Sequence, residues 1–347
     1  MNNFSRSVLC WYDQHGRKNL PWQQNITPYR VWLSEVMLQQ TQVKTVIPYF
    51  EKFTTQFENV EALANASEDQ VLKLWSGLGY YARGRNLHKA ARQICDKFKG
   101  NFPDNMDDMQ SLAGVGRSTA AAILSIAFEQ PQAILDGNVK RVLTRYYALE
   151  GWTGKATVLK QLWHYAEHTT PESRSRDYTQ AIMDLGATLC TRSKPACKRC
   201  PLQADCIAYA QGNMTDYPTP KKKKILPEKH TIMLILQNKQ QQILMQKRPP
   251  TGIWGGLWCF PQFETDQQLQ EWLSVNTINA LLITKMTEFS HTFSHFRLHI
   301  QPLILSLKTP LKTGVMEDDN ILWYNPSTEF EGGLAAPVTK LLQELTA

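Results

Sequence analysis

Residues 112–121 read LAGVGRSTAA. Two glycines, Gly114 and Gly116, flank one small apolar residue. The segment ending near Leu112 and the one starting near Arg117 both carry apolar residues at helical spacing. Glycine permits a tight turn and lets another chain come close. The unpaired N–H groups at the start of the second helix favour an anion such as phosphate. The stretch therefore reads as a helix–hairpin–helix element that grips a nucleic-acid backbone without reading its bases. GVG alone would be an ordinary helix–helix turn; Ser118-Thr119-Ala120 and the basic context move the reading toward phosphate.

Working outward, VWLSEVMLQQTQV (31–43), EDQVLKLWSGLGYYARGRNLHKAARQICDKF (68–98) and GRSTAAAILSIAF (116–128) repeat apolar residues every three or four positions. Stretches such as NFPDNMDD (101–108) punctuate them. Residues 1–210 read as an all-α unit. Residues 211–229, QGNMTDYPTPKKKKILPEK, hold three prolines and the run Lys221–Lys224, and read as a linker. The lysines are either a solvated hinge or phosphate contacts. Beyond residue 230 the texture changes to short β-rich runs, TIMLILQN (231–238), QQILMQKR (241–248), FRLHIQPLILSL (296–307) and NILWYN (320–325). One helical stretch lies near QQLQEWLSV (267–275), so this part is α+β.

The length, 347 residues, fits about two domains at about 150 residues each. At 42% hydrophobic the chain is an ordinary globular one, not a disordered one. No apolar run reaches the roughly 18–20 residues of a membrane span, and MNNFSRSVLCWYDQ lacks the pattern of a secretory signal. The net charge of +7 is unevenly placed: +6 in residues 1–210, +3 in 211–229 and −2 in 230–347. A basic first segment and connector point to a polyanionic partner that the last segment need not share.

Four of the seven cysteines crowd into one loop, Cys190, Cys197, Cys200 and Cys206, spaced C-x6-C-x2-C-x5-C and stiffened by Pro195 and Pro201. Such a set suits tetrahedral zinc or an iron–sulfur cluster. Zinc sites more often use two close pairs with a longer gap; here one close pair has an outlier on each side. Arg192, Lys194, Lys198 and Arg199 would be aimed at phosphate by a folded loop.

Two carboxylates attract attention. On a helix Glu35 neighbours Val31, Trp32, Leu38 and Gln39, a largely apolar face on which burial would raise its pKa and let it act as a general acid. Periodicity alone favours the plainer reading, a glutamate at the helix edge turned to water. Asp136, in AILDGNVKRVL, precedes a helical segment and reads first as its N-cap. A pair of carboxylates is nevertheless what glycosidic cleavage requires: an acid for the leaving group and a carboxylate for the sugar cation. Lys140, one turn on, pairs with Asp136 in the simplest reading. Tyr80 and Tyr81 read by themselves as core aromatics.

Taken in order, LPWQ (20–23), TPYRVWLSEVMLQQTQV (27–43), LWSGLGYYARGRNLHKAA (74–91), GVGRSTA (114–120), ILDGNVKRVL (134–143), MDLGA (183–187), CTRSKPACKRCPL (190–202), GGLWCFPQF (255–263) and TFSHF (292–296) resemble the helix–hairpin–helix DNA glycosylases with an iron–sulfur cluster, within them the MutY-type adenine glycosylases. The likeness runs through nearly the whole chain. It implies a multi-domain protein: an all-α helix–hairpin–helix glycosylase domain with a [4Fe–4S] cluster loop, then an α+β Nudix-like domain. It implies Glu35 as the acid protonating the departing adenine, Asp136 as the carboxylate stabilising the sugar cation, and Asn138 as a polar residue near the reacting centre. Cys190, Cys197, Cys200 and Cys206 match the [4Fe–4S] ligands. Gln40 and Tyr80 match side chains inserted into the duplex. Leu20, Trp22 and Met183 match the adenine pocket. Gly114, Gly116, Arg117, Ser118 and Lys140 fall on the DNA-binding side. Ser118 stands where related lyases carry lysine, which argues for attack by water and against strong strand cleavage; Lys140 leaves weak Schiff-base chemistry open. Ala113 replaces the usual proline of the hairpin.

GGLWCFPQF resembles the opening of a Nudix domain, but ETDQQLQEWLSV lacks the carboxylate cluster that would hold a metal for pyrophosphate hydrolysis. That domain is expected to recognise rather than catalyse, and the resemblance implies that Phe293-Ser294-His295 reads 8-oxoguanine. The expectation is a monomeric, monofunctional enzyme of the cytoplasm and nucleoid, with no membrane, acting on double-stranded DNA with A:8-oxoguanine or A:G mispairs. The rivals are an endonuclease III-like glycosylase/lyase and a non-catalytic DNA-binding module with a structural cluster.

Overall fold

A computed structural model describes residues 1–221, 225–278, 283–307 and 320–346. The chain divides into two units, Met1–Asn65 with Asn86–Lys222, and Ala66–Arg85 with Lys223–Ala347. The sequence pattern assigns residues 66–85 to the first unit; the structure groups them with the second. Three of the expected linker lysines, 222–224, lie outside the described residues.

The described part of the first unit is helical. Its helices are α1 (Asn3–His15), α2 (Pro28–Leu38), α3 (Val43–Gln56) and α4 (Val60–Asn65). After α5 (Glu68–Trp75), which belongs to the second unit, come α6 (Ala82–Phe98), α7 (Met106–Ser111), α8 (Arg117–Phe128), α9 (Gly137–Tyr146), α10 (Ala156–Thr169), α11 (Ser175–Asp184) and α12 (Ile207–Ala210). Starts are set by local chemistry: Thr27 caps α2 with Pro28 behind it, and Asn105 caps α7. In α8, Ala120, Ala121 and Ala122 are buried, small enough to let α2 and α11 pack closely. Leu185–Leu189 continues α11 as a wide π-helical turn leading into Cys190.

The apolar run 68–98 is not one helix. It breaks between Trp75 and Ala82 because Gly77, Gly79 and Tyr80 sit at φ 97°, 71° and 48°, which no right-handed helix accommodates.

The second unit is built on a sheet whose described strands are β1 (Glu228–Gln237), β2 (Ile243–Lys247), β3 (Trp258–Cys259), β4 (Gln262–Phe263), β5 (Ile283–Lys285), β6 (Phe289–Thr292), β7 (Arg297–Ser306) and β8 (Ile321–Tyr324). β1 and β7 pair in parallel, Glu228 opposite Arg297 through Gln237 opposite Ser306; the other pairings are antiparallel. The unbroken apolar run of β1 follows from burial on both faces. Met233 and Ile235 join a core with Val338 and Leu341 of α14 (Ala336–Thr346); Ile232, Leu234 and Leu236 join another with Leu269 and Leu273 of α13 (Asp266–Val275). Leu72 of α5 is fully buried in the first of these cores. Lys247 Nζ lies 2.9 Å from Asp69 Oδ2, and Trp258 Nε1 donates to Asp69 Oδ1 at 3.3 Å, which ties α5 to this sheet.

Candidate active site

Glu35 and Asp136 line one cleft of about 960 Å³ in the first unit. Glu35 comes from α2, and Asp136 from the end of the extended stretch before α9. The expectation of a water-facing edge glutamate does not hold. Glu35 keeps partial solvent contact through the cleft, yet burial, helped by the charge of Asp136, pushes its carboxyl up to about 8. Asp136 is the N-cap of α9, as expected: its Oδ1 accepts from Val139 N–H at 2.7 Å, and its Oδ2 from Asn138 Nδ2 at 3.0 Å. Burial raises its pKa too, but those donors and the Arg141 guanidinium oppose the rise. One carboxyl thus sits where the proton is favoured, and the other at a helix N-terminus with donors aimed at its charge. Capping and membership of the cleft are the same fact seen twice.

Leu20, Trp22, Met183, Asn138, Gln40, Gly116 and Ser118 line the same cleft. Ser118 Oγ accepts from Leu135 N–H at 2.9 Å, fastening the hairpin to the residue before Asp136. Gly114 holds φ 76° against Asn86, whereas a Cβ at Gly116 would meet only open space. Arg117 is ion-paired with Glu167 at 2.5 Å and stacked over Trp163. Lys140 lies outside the cleft lining, and Asp136 takes its donors from Val139 and Asn138 rather than from that lysine.

Arg141 was not singled out in the sequence, yet it links three parts. Its Nη2 donates to Asn138 Oδ1 at 2.8 Å and to Gly186 O at 2.7 Å, and its Nε donates to Cys190 O at 2.7 Å. Gly186 is required beside it: a Cβ there would stand 2.6 Å from Asn138 Cβ. The other omission is Arg17, which lines the cleft and grips the fully buried Asp184 at 2.6 Å. Its carbonyl accepts from Gln23 Nε2, so the arm carrying Leu20 and Trp22 is anchored beside Met183. The available signal was the charge in MDLGA, an aspartate amid an apolar run.

Cys190, Cys197, Cys200 and Cys206 line a common small cavity. Arg145, 2% exposed, donates to Cys190 Sγ at 3.3 Å and to the carbonyls of Thr191 and Arg192. Burial pushes the Cys200 thiol up to about 12, and also raises Cys197 and Cys206, so a gathered cation is what would make this donor set ionise. Among the described residues no three His, Cys, Asp or Glu side chains converge to hold a single metal ion.

In the second unit Tyr80 is 52% exposed, against its reading as core, while Tyr81 does pack on the core. Phe293, Ser294 and His295 form the turn between β6 and β7, with Ser294 and His295 exposed and Phe293 stacked on Phe296.

Residues 33–168 match the HhH-GPD superfamily of base excision DNA repair proteins, and residues 232–344 match the NUDIX domain. The chain is 42% identical over 347 residues to an adenine DNA glycosylase of Buchnera aphidicola subsp. Schizaphis graminum, covering 98% of each. The chain belongs to the adenine DNA glycosylases. Its human relative of that name is 35% identical, over 89% of this chain and 68% of the relative. Of solved structures, a thermostable thymine-DNA glycosylase aligns with TM-score 0.55 and 28% identity, over 60% of this chain and 95% of the other. An endonuclease III–DNA complex, at 20% identity and TM-score 0.52, over 60% and 94%, shares the fold. The protein is thus a base excision repair enzyme: a helical HhH-GPD domain joined to a Nudix-like α+β domain. Both carboxyls of the cleft are raised by burial, and Asp136 has donors and a guanidinium that oppose the rise.

Proposed function

We propose that this glycosylase removes adenine paired with 8-oxoguanine or guanine in duplex DNA and leaves an abasic site. The observation that carries the reading is the shared cleft of Glu35 and Asp136, with Glu35 able to keep its proton near neutrality. Glu35 donates that proton to the departing adenine. The glycosidic bond breaks, Asp136 stabilises the oxocarbenium-like sugar, and water adds. Asn138 steadies Asp136, and Leu20, Trp22 and Met183 wall the base. Gln40 and Tyr80 each enter the duplex to offset the unstacking cost of a few kcal/mol. Ser118 offers a hydroxyl already engaged with Leu135 N–H, which supports hydrolysis over Schiff-base lyase chemistry.

The four loop cysteines would hold a [4Fe–4S] cluster. The four thiols line one small cavity and are spaced with one close pair and an outlier on each side, which supports the cluster reading. When bound, the cluster cross-links the loop and brings positive charge to buried thiols. Gly114, Gly116, Arg117 and Lys140 contribute to backbone binding. Ser294 and His295, exposed on the β6–β7 turn, read the 8-oxoguanine, and Phe293 anchors the turn. The enzyme works as a monomer in the cytoplasm.

Single-turnover excision on A:8-oxoguanine, A:G and A:T duplexes tests this reading, with Ser294→Ala alongside the parent. Expected is the order A:8-oxoguanine, A:G, A:T, narrowed by the variant. Equal cutting of all three by the parent overturns the recognition claim. Efficient borohydride trapping would favour the lyase reading instead.

A further inference from the structure

The turn carrying Tyr80 is costly to hold. Gly77, Gly79 and Tyr80 all occupy the left-handed region, at φ 97°, 71° and 48°. A tyrosine rarely adopts that conformation, and its ring here is mostly in solvent, so burial of the ring does not hold it in place. What lies beneath is Arg83, only 9% exposed. Its Nη2 donates to Leu78 O at 3.3 Å and to Gly79 O at 3.2 Å. Its Cζ lies 5.4 Å from the Trp75 ring centroid and 5.6 Å from that of Tyr80. Trp75 Nε1 donates to the same Gly79 carbonyl at 3.2 Å, and Arg83 N–H closes the turn onto Tyr80 O at 2.8 Å. A planar guanidinium can satisfy two carbonyls and face two rings together. An ammonium offers a point charge without the flat fork, so lysine would not reproduce the arrangement. The cation accepts a desolvated place, burial pulling its pKa down to about 10.

We propose that Arg83 is a positioning residue, whose buried guanidinium holds the Leu78–Tyr80 turn in its left-handed form and so presets the Tyr80 ring for insertion into DNA. The inference rests on reading Tyr80 as an inserted side chain. It goes beyond that reading by assigning the device that keeps the side chain ready before DNA arrives. Preorganisation of this kind acts on engagement of the mispair, because the ordering has been completed in the free enzyme.

The test is a double-mutant cycle on the full-length enzyme, with Tyr80→Ala, Arg83→Met, Arg83→Lys and the Tyr80→Ala/Arg83→Met double variant. Dissociation constants for an A:8-oxoguanine duplex and single-turnover excision at saturating enzyme are measured for each. Expected is a weakening of duplex binding of about tenfold for Tyr80→Ala and for Arg83→Met, with little change in the saturated rate. Arg83→Lys should not rescue, and the double variant should bind no worse than Tyr80→Ala. If Arg83→Met weakens binding equally in both backgrounds, or not at all while Tyr80→Ala does, the proposal is overturned and the inserted-tyrosine reading stands. If Tyr80→Ala binds like the parent, that reading fails first and takes the proposal with it. Thermal melts accompany each variant. Where Arg83→Met does not fold, Arg83→Lys is carried through the same cycle: loss of binding only when Tyr80 is present supports the proposal, and equal loss in both backgrounds, or none, overturns it.

Discussion

Glu35 illustrates how one residue can be legible in type and misjudged in setting. Its apolar neighbours on α2 were visible in the sequence, but the wall across the cleft, including Ile134 and Asp136, comes from a segment about a hundred residues away in the chain. The pKa of about 8 has two measurable consequences. Excision depending on the acid form should fall as pH rises through about 8, whereas an acid left at the ordinary 4.5 would already be ionised at pH 6. The native carboxyl stays neutral over a range in which the unfolded one ionises, so its stability penalty is absent below about 4.5 and grows until pH reaches about 8. Glu35→Gln should therefore abolish excision and retain duplex binding. It should also be more stable than the parent by an amount that grows from pH 5 to pH 8, to about 1–2 kcal/mol allowing for partial solvent contact. Melting curves at several pH values check the trend; a constant difference would contradict it. Asp136 separates structure from chemistry differently. Asn caps a helix about as well as Asp, so Asp136→Asn should melt within a few degrees of the parent while losing at least about a hundredfold in single-turnover excision.

At the scale of elements, the GVG turn was legible because glycine spacing is a local signal, and the two glycines have distinct tasks. Gly114→Ala meets both a positive φ and Asn86 Cβ at 2.9 Å, and should cost about 1–3 kcal/mol in melts. Gly116→Ala meets nothing, so stability should be unchanged and any loss should appear only in duplex affinity, measured by titration at fixed salt. Gly186 was visible only as part of a family motif. Its task is to let the π-helical turn press on Asn138, and Gly186→Ala should push α9 and Asp136 away. Expected is a loss of about 1–3 kcal/mol with more than tenfold slower excision in the folded fraction. The break within 68–98 was not legible because apolar spacing persists across the turn at Gly77–Tyr81, and periodicity does not register a change of backbone hand.

For the whole molecule, charge is unevenly placed. The first 210 residues carry +6 and the last 118 carry −2, so the field that attracts a polyanion comes mainly from the helical part of the chain. The unit boundary is less obvious than the linker suggests, because α5 lends Leu72 to the sheet's core. Leu72→Ala should therefore lower the stability of the second unit by about 2–4 kcal/mol, although it lies 156 residues before that unit's first strand. Calorimetry with limited proteolysis would show which unit melts early; loss confined to the first unit would refute the assignment.

Composition, short-range spacing and motif order were enough to determine the helical and α+β halves, the hairpin, the cysteine loop and the candidate acids, because each is written within a few tens of residues. The tertiary structure alone decided that Glu35 is desolvated, that Asp136 caps and faces the cleft at once, that Arg141 spans from Asn138 to Cys190, and that Tyr80 stands exposed over Arg83. Desolvation and long-range hydrogen bonding are set by groups distant in the chain, and no local pattern encodes which of them will meet.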